Sequence, residues 1–183
     1  MVKINPLIPE IELAANKISA ALKTGGKLLL MGNGGSAADA QHLAAELIGR
    51  FKAERRALPA IALNTDTSIL TSISNDYDYS MVFSRQLEAL CQPNDVVIGI
   101  STSGNSKNIL KGIATAKEKE AYTIGFSGHD GGQLARLVDL SLNIPSTNTA
   151  RIQEAHIFIG HTVCELIEEV MMKNLSHQLA IHA

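Results

Sequence analysis

Short, uninterrupted apolar runs alternate with segments of helical periodicity along this 183-residue chain, and this alternation restricts its fold more than any other feature. The runs "KLLLM" (27–31) and "DVVIGIS" (95–101) are typical of strands that are buried on both faces. Residues 10–24 instead place apolar side chains three and four positions apart, as an amphipathic helix does. The pattern predicts an α/β fold in which helices cover both faces of a parallel sheet.

Five strands and their connecting helices can be placed along the sequence. The strands are predicted at 27–31, 59–63, 95–101, 121–127 and 138–144. The helices are predicted at 10–24, 37–50 with Ser36 as N-cap, 66–90 with a break near "SNDYD", 106–120, a short one within 128–137, and about 149–174. Neither a shift in composition nor an internal repeat divides the chain, so we expect one domain over residues 1–183.

Composition argues against several classes of protein. The net charge is −2 and the one basic run is "ERR" (54–56), so no basic face for nucleic acid is expected. The sequence shows neither a signal-peptide pattern nor the run of about 18 apolar residues that a membrane span needs, so a cytoplasmic location is expected. Cys91 and Cys164 lack a spacing typical of disulfide frameworks or zinc knuckles.

Two loops follow predicted strands at the edge of the sheet where α/β proteins bind ligands. They are "GNGGS" (32–36) and "STSGNS" (101–106). The second loop offers four hydroxyls just before a helix N-terminus, a combination that favours a phosphate group: Ser101, Thr102, Ser103 and Ser106. The sequence contains neither GxxxxGK[ST] nor a full GxGxxG, which favours a phosphomonoester over a nucleotide. Alternatively, the serines only cap the helix that follows.

Two segments carry candidate metal ligands. His42 and Glu46 share one helical face and can form half of a zinc site, although such a pair is also ordinary on a solvated helix. Gln153, His156 and His161 lie in or beside an apolar stripe and need polar partners, and His156 can equally be a core histidine. Eight residues separate Gln153 from His161, about 12 Å on a straight helix, so both reach one metal only if their side chains converge or the helix is irregular.

Four segments together resemble the phosphoheptose isomerases, the sedoheptulose 7-phosphate isomerases of the SIS (sugar isomerase) fold family. These segments are "GNGGSAADAQHLAAEL", "ALNTDTSILTSISNDY", "GISTSGNSKNI" and "ARIQEAHIFIGH", and the resemblance extends over about residues 25–169. It implies a three-layer αβα sandwich of flavodoxin-like type with a five-stranded parallel sheet. It also implies a homotetramer with active sites at subunit interfaces and one zinc ion per subunit.

The resemblance also implies roles for individual residues. The implied zinc ligands are His42, Glu46, Gln153 and His161. The implied phosphate contacts are Ser101, Thr102, Ser103 and Ser106, and the implied sugar contacts are Asn33, Gly34, Gly35, Asn75 and Asp76, with Glu46 and Gln153 also at the substrate. The implied reaction converts sedoheptulose 7-phosphate to D-glycero-D-manno-heptose 7-phosphate, the first step toward heptose for surface polysaccharide.

Aldose–ketose isomerisation through an enediol needs a base over the reacting carbons and an acid for the oxygens. We assign Glu46 as the base and His161 as the acid, although the sequence does not decide which takes the first proton. Rival interpretations are a non-catalytic SIS protein that binds the bacterial replication initiator, a sugar-phosphate-sensing SIS module, and an isomerase or etherase acting on an amino sugar phosphate. In the initiator-binding relative, the positions that match Glu46 and His161 lack the carboxylate and the imidazole, which favours an enzyme here.

Overall fold

Five parallel strands form the sheet of this protein, whose structure is a computed structural model that describes residues 4–181 and the side chains of residues 4–173. The strands are β1 (Leu28–Gly32), β2 (Ala60–Ala62), β3 (Val96–Ser101), β4 (Tyr122–Gly128) and β5 (Leu140–Ile144). Their order across the sheet is β2-β1-β3-β4-β5. This is the flavodoxin-like order, so the predicted fold class is confirmed.

The helices follow the predicted alternation closely. They are α1 (Ile8–Lys23), α2 (Gly35–Ile48), α3 (Thr67–Asp76), α4 (Ser84–Leu90), α5 (Lys107–Glu118), α6 (Leu134–Leu137) and α7 (Thr149–Ile181), with 3₁₀ turns at Asn5–Leu7 and Tyr79–Met81. The expected break near "SNDYD" is confirmed, because α3 ends at Asp76. The last helix continues beyond the predicted end near residue 174.

The predicted N-cap of α2 is wrong. Gly34 occupies that position with a φ of +56°, a left-handed conformation that glycine adopts without strain. The chain therefore turns from β1 into α2 two residues earlier than predicted, and Ser36 is buried within the first turn of the helix.

Side chains of the strands alternate between two hydrophobic clusters, one on each face of the sheet. Leu28 and Leu30 pack in the cluster that α1, α2 and α7 cover, whereas Leu29 and Met31 pack in the cluster that α4 and α5 cover. Burial on both faces explains why these strands are continuous apolar runs. Among the helices of residues 4–181, none combines the length and the apolar character needed to cross a membrane.

The point at which strand order reverses lies between β1 and β3, which pair in register from Leu28↔Val96 to Gly32↔Ile100. β2 extends the sheet on one side of this pair and β4 extends it on the other. In open α/β sheets such a reversal opens a crevice beyond the carboxyl ends of the two central strands. Both loops singled out in the sequence leave the sheet at this crevice.

Candidate functional site

A pair of side-chain amides joins the loop after β1 to the first turn of α5, which follows the loop after β3. Asn33 Nδ2 donates to Asn108 Oδ1 (2.9 Å), and Asn108 Nδ2 donates back to Asn33 Oδ1 (2.8 Å). The hydroxyl of Tyr79 donates to the same oxygen of Asn33 at 3.2 Å. Asn33 was predicted to contact sugar, and the structure shows its amide bound to the first turn of α5. Asn108 and Tyr79 were missed, although a polar residue in the first turn of α5 was a usable signal for Asn108.

The hydroxyl loop (residues 101–106) has the arrangement expected for an anion site. Ser101, the last residue of β3, is buried, and its Oγ lies 2.9 Å from Ser106 Oγ. Ser106 occupies the N-cap position of α5, but its side chain makes no capping hydrogen bond. The alternative that this serine only caps the helix is therefore not supported. Backbone N–H groups in the first turn of a helix have no intrahelical partners and favour negative charge.

The other two hydroxyl residues of this loop are more open to solvent. Thr102 is half-buried and Ser103 is exposed. The Oγ of Ser103 accepts a hydrogen bond from the backbone N–H of Asn105 (3.2 Å), and Asn105 Nδ2 donates to the carbonyl of Ser103 (2.9 Å). These local bonds hold Ser103 and Asn105 in a turn just before the N-terminus of α5.

Three candidate ligands converge between α2 and α7. His42 Nε2 lies 2.8 Å from His161 Nε2 and 3.1 Å from Glu46 Oε1, and one ligand atom from each side chain falls within 4.8 Å of the others. His42 is exposed, and the other two are half-buried. We call these three residues the trio. The predicted pairing of His42 with Glu46 on one face is confirmed, and His161 joins them across 119 residues of sequence.

The donor atoms of the trio fit a zinc ion. Two imidazole nitrogens and a carboxylate oxygen are ligands that zinc takes in proteins, and three protein ligands leave a position open for substrate. The 2.8 Å contact between the two Nε2 atoms fits one ring donating a hydrogen bond to the other, and both nitrogens can instead direct a lone pair at one cation. The Phe51 ring packs against His161 with centroids 5.3 Å apart and restricts the orientation of that imidazole.

The structure places Gln153 away from the trio of its own chain. Its side chain lies against Gly35, where any Cβ would overlap the Gln153 amide, so glycine permits this close approach. Gly35 precedes His42 by seven residues, about 10 Å along α2. Gln153 thus faces the glycine loop (residues 32–36), which suits a contact with substrate. Its predicted role as a fourth ligand stays a prediction.

Asn75 and Asp76 lie at the end of α3 and are exposed. Asn75 Nδ2 donates to Asp76 Oδ1 at 2.8 Å. Among the residues that the structure describes, the side-chain hydrogen bonds of Asn75 and Asp76 do not reach the trio or the two loops. Their predicted contact with sugar stays a prediction.

His156 is a core histidine in this structure. Its ring is 1% exposed, packs near Phe126, and has Nε2 3.0 Å from the carbonyl oxygen of Ser127. Among the described residues, no partner reaches its Nδ1. Burial lowers the pKa of His156 to about 4, and the bond to Ser127 opposes this only in part. The structural alternative for His156 is thereby supported.

Comparison with known proteins agrees with this geometry. The SIS domain family matches residues 4–128. Over 157 residues the chain is 59% identical to a phosphoheptose isomerase of Aquifex aeolicus. The aligned segment covers 86% of this chain and 82% of that protein. The chain belongs to the phosphoheptose isomerases. As a member of this family it is an enzyme, and the non-catalytic interpretations are not favoured.

Solved structures of phosphoheptose isomerases share the fold. The enzyme from Neisseria gonorrhoeae superposes with a TM-score of 0.85 at 46% identity, covering 89% of this chain and 87% of that one. The enzyme from Francisella tularensis superposes with a TM-score of 0.86 at 39% identity, covering 88% and 86%. Family membership therefore rests on both sequence and three-dimensional structure.

Proposed function

We propose that this protein converts sedoheptulose 7-phosphate to D-glycero-D-manno-heptose 7-phosphate in the cytoplasm, at the start of heptose synthesis for surface polysaccharide. The observation that carries the proposal is the convergence of His42, Glu46 and His161. A protein that only senses or carries a sugar phosphate has no need for a carboxylate and two imidazoles directed at one point. The names of the related enzymes support the substrate class.

His42, Glu46 and His161 would hold a zinc ion, which when bound supplies positive charge that favours an enediolate over the ketose. Glu46 has one carboxylate oxygen, Oε1, toward His42, which leaves Oε2 to take a proton from C1 and return it at C2. His161 directs Nε2 at the other two ligands, so its Nδ1 would give a proton to the C2 oxygen and take back the proton of the C1 hydroxyl as the aldehyde forms.

The hydroxyl loop would bind the phosphate end of the substrate through Ser101, Thr102, Ser103 and Ser106, with the first turn of α5 behind them. Asn33, Gly34, Gly35 and Gln153 would line the sugar at the neighbouring loop. Binding energy from the phosphate is remote from the reacting carbons, and it serves to orient them.

A homotetramer with interfacial active sites is part of the proposal. The trio lies about two helical turns along α2 from the glycine loop, so one chain holds its trio and its substrate loops apart. α3 has no buried side chain, and Tyr77, Tyr79 and Phe158 are 63%, 53% and 58% exposed. Such apolar surface favours contact with another copy, which can bring a trio and a loop together.

The test is an NMR assay of purified protein with sedoheptulose 7-phosphate, run with chelator and then with added zinc. We expect formation of an aldose that stops on chelation and returns with zinc. Glu46→Gln should lower kcat by at least about a hundredfold, because general base catalysis typically contributes that much. Glu88→Gln, which removes an exposed carboxylate paired with Arg85, is the control. Near-normal turnover of Glu46→Gln would show that the base is misassigned.

A further inference from the structure

A buried carboxylate on α7 holds the turn that follows α2. Glu168 is 3% exposed and lies seven residues beyond His161, about 10 Å along the helix. Its Oε1 accepts the backbone N–H of Phe51 (2.8 Å), and its Oε2 accepts those of Lys52 (2.9 Å) and Ala53 (3.0 Å). One side chain therefore satisfies three consecutive backbone donors in a segment outside helix or strand.

Arg55 links the same carboxylate to the end of α2. Its Nε lies 3.0 Å from Glu168 Oε1, an ion pair whose N–H is not aligned for a hydrogen bond, and both side chains are almost fully buried. Its Nη2 donates to the carbonyl of Glu46 (2.8 Å), and its Nη1 donates to those of Leu47 (2.9 Å) and Gly49 (3.3 Å). Arg55 thus binds the C-terminal carbonyls of α2, where positive charge is favoured.

The turn held by Glu168 also carries the aromatic neighbour of the trio. Phe51, the first residue bound by the carboxylate, packs its ring against His161 at an interplanar angle of 31°. Glu168 therefore connects to the trio by two routes: through Arg55 to the helical turn that bears Glu46, and through Phe51 to the imidazole of His161.

We propose that Glu168 is a positioning residue for the trio, holding α2 and α7 at the separation that keeps Glu46 and both histidines within reach of one metal ion. The proposal rests on the proposed function, because it assumes that the trio binds zinc. Glu168 touches neither substrate nor metal in this arrangement and acts through Arg55 and the turn at residues 51–53.

An apolar replacement of Glu168 would leave three backbone N–H groups and the Arg55 guanidinium without an acceptor, so this carboxylate contributes to stability. Its two oxygens also accept several N–H groups at once, which fixes the orientation of the turn relative to α7. Burial raises the pKa of Glu168, but the backbone donors and Arg55 outweigh it, so the pKa is lowered overall and the group stays ionised.

The test measures zinc affinity of the metal-free, full-length protein by competition with a chromophoric chelator. Glu168→Gln keeps the volume of the side chain but removes its charge and one acceptor. We expect it to weaken zinc binding by about tenfold or more, the usual effect of losing an outer partner of a metal ligand. Glu165→Gln is the matched control, since Glu165 lies one turn earlier on α7 and binds Lys52 of the same turn from solvent (2.6 Å). The control should retain the affinity of the parent protein.

Arg55→Lys is the second variant, since it keeps a positive charge near Glu168 but cannot bind three carbonyls of α2 and the carboxylate together. If Glu168→Gln does not fold, as judged by circular dichroism, Arg55→Lys carries the test with the same expected loss of affinity. Folded variants with lower thermal stability and unchanged zinc affinity would overturn the proposal, because they would show a structural role alone. Absence of zinc binding by the parent protein would instead refute the metal site of the proposed function.

Discussion

The burial of the His156 imidazole allows a quantitative prediction of how the free energy of unfolding depends on pH. Its Nε2 lies 3.0 Å from the Ser127 carbonyl, which can only accept, so Nε2 carries the hydrogen and Nδ1 is the atom that would be protonated. Protonation would place a charge at a buried atom that has no partner among the described residues. The folded state therefore resists it, and the pKa of His156 is lowered from the ordinary value of 6.5 to about 4.

Proton linkage gives the direction in which the free energy of unfolding changes with pH. Below about pH 6.5 the unfolded chain takes up a proton at this position that the folded chain refuses, so the free energy of unfolding falls as the pH falls. The loss levels off below the folded pKa of about 4. The two pKa values differ by about 2.5, so protonation of His156 can lower the free energy of unfolding by at most about 3 kcal/mol. About 2 kcal/mol of this is lost between about pH 7 and about pH 5.

Urea denaturation of the parent protein and of His156→Gln would measure how much His156 contributes to the pH dependence of stability. The glutamine amide can donate to the Ser127 carbonyl but does not titrate. Chelator and a fixed protein concentration keep metal binding and assembly from contributing. The parent should lose about 2 kcal/mol more than the variant between about pH 7 and about pH 5, since all other groups are shared. Parallel pH profiles for the two proteins would refute the assignment of His156 as a buried neutral imidazole.

Two further predictions concern packing and substrate binding. A Cβ on Gly160 would lie 2.6 Å from Leu43 Cδ2, so Gly160→Ala should force α2 and α7 apart beside the trio and weaken zinc binding in a chelator competition. Adding Leu43→Ala should restore the affinity in part, and no recovery would argue against close helix contact as the cause. Ser106→Ala should raise KM for the sugar phosphate by about tenfold in steady-state kinetics, because it removes a hydroxyl from the anion site. A fall in kcat with unchanged KM would contradict a phosphate contact.

Features that depend on local spacing were predictable from the sequence. The apolar runs identified all five strands, and the rule that ligands bind beyond strand ends selected the loops after β1 and β3. His42 and Glu46 share a face because they are four residues apart in a helix. The N-cap of α2 was predicted wrongly because both Gly34 and Ser36 are compatible with a helix start, and the choice depends on a backbone angle that sequence does not display.

Features that depend on helix packing were not predictable in the same way. His161 reaches His42 only because α7 packs along α2, and that contact has no local signal. The same packing places Gln153 against Gly35 and away from His161. This agrees with the eight residues between them, which keep two side chains of a straight helix from reaching one metal ion. The sequence does not distinguish Glu168 and Arg55 from ordinary charged surface residues. Their side chains are buried because the turn after α2 packs on α7, and that contact is not local in sequence.

The paired amides of Asn33 and Asn108 join the glycine loop to the first turn of α5 without using any charge. A carboxylate and an amine at the same place would weaken with added salt and break when either group changed its ionisation. Two amides do neither, so the distance between the glycine loop and α5 should not change with pH or ionic strength. If the proposed function is correct, the space that receives the substrate should keep its dimensions when the pH or the salt concentration changes.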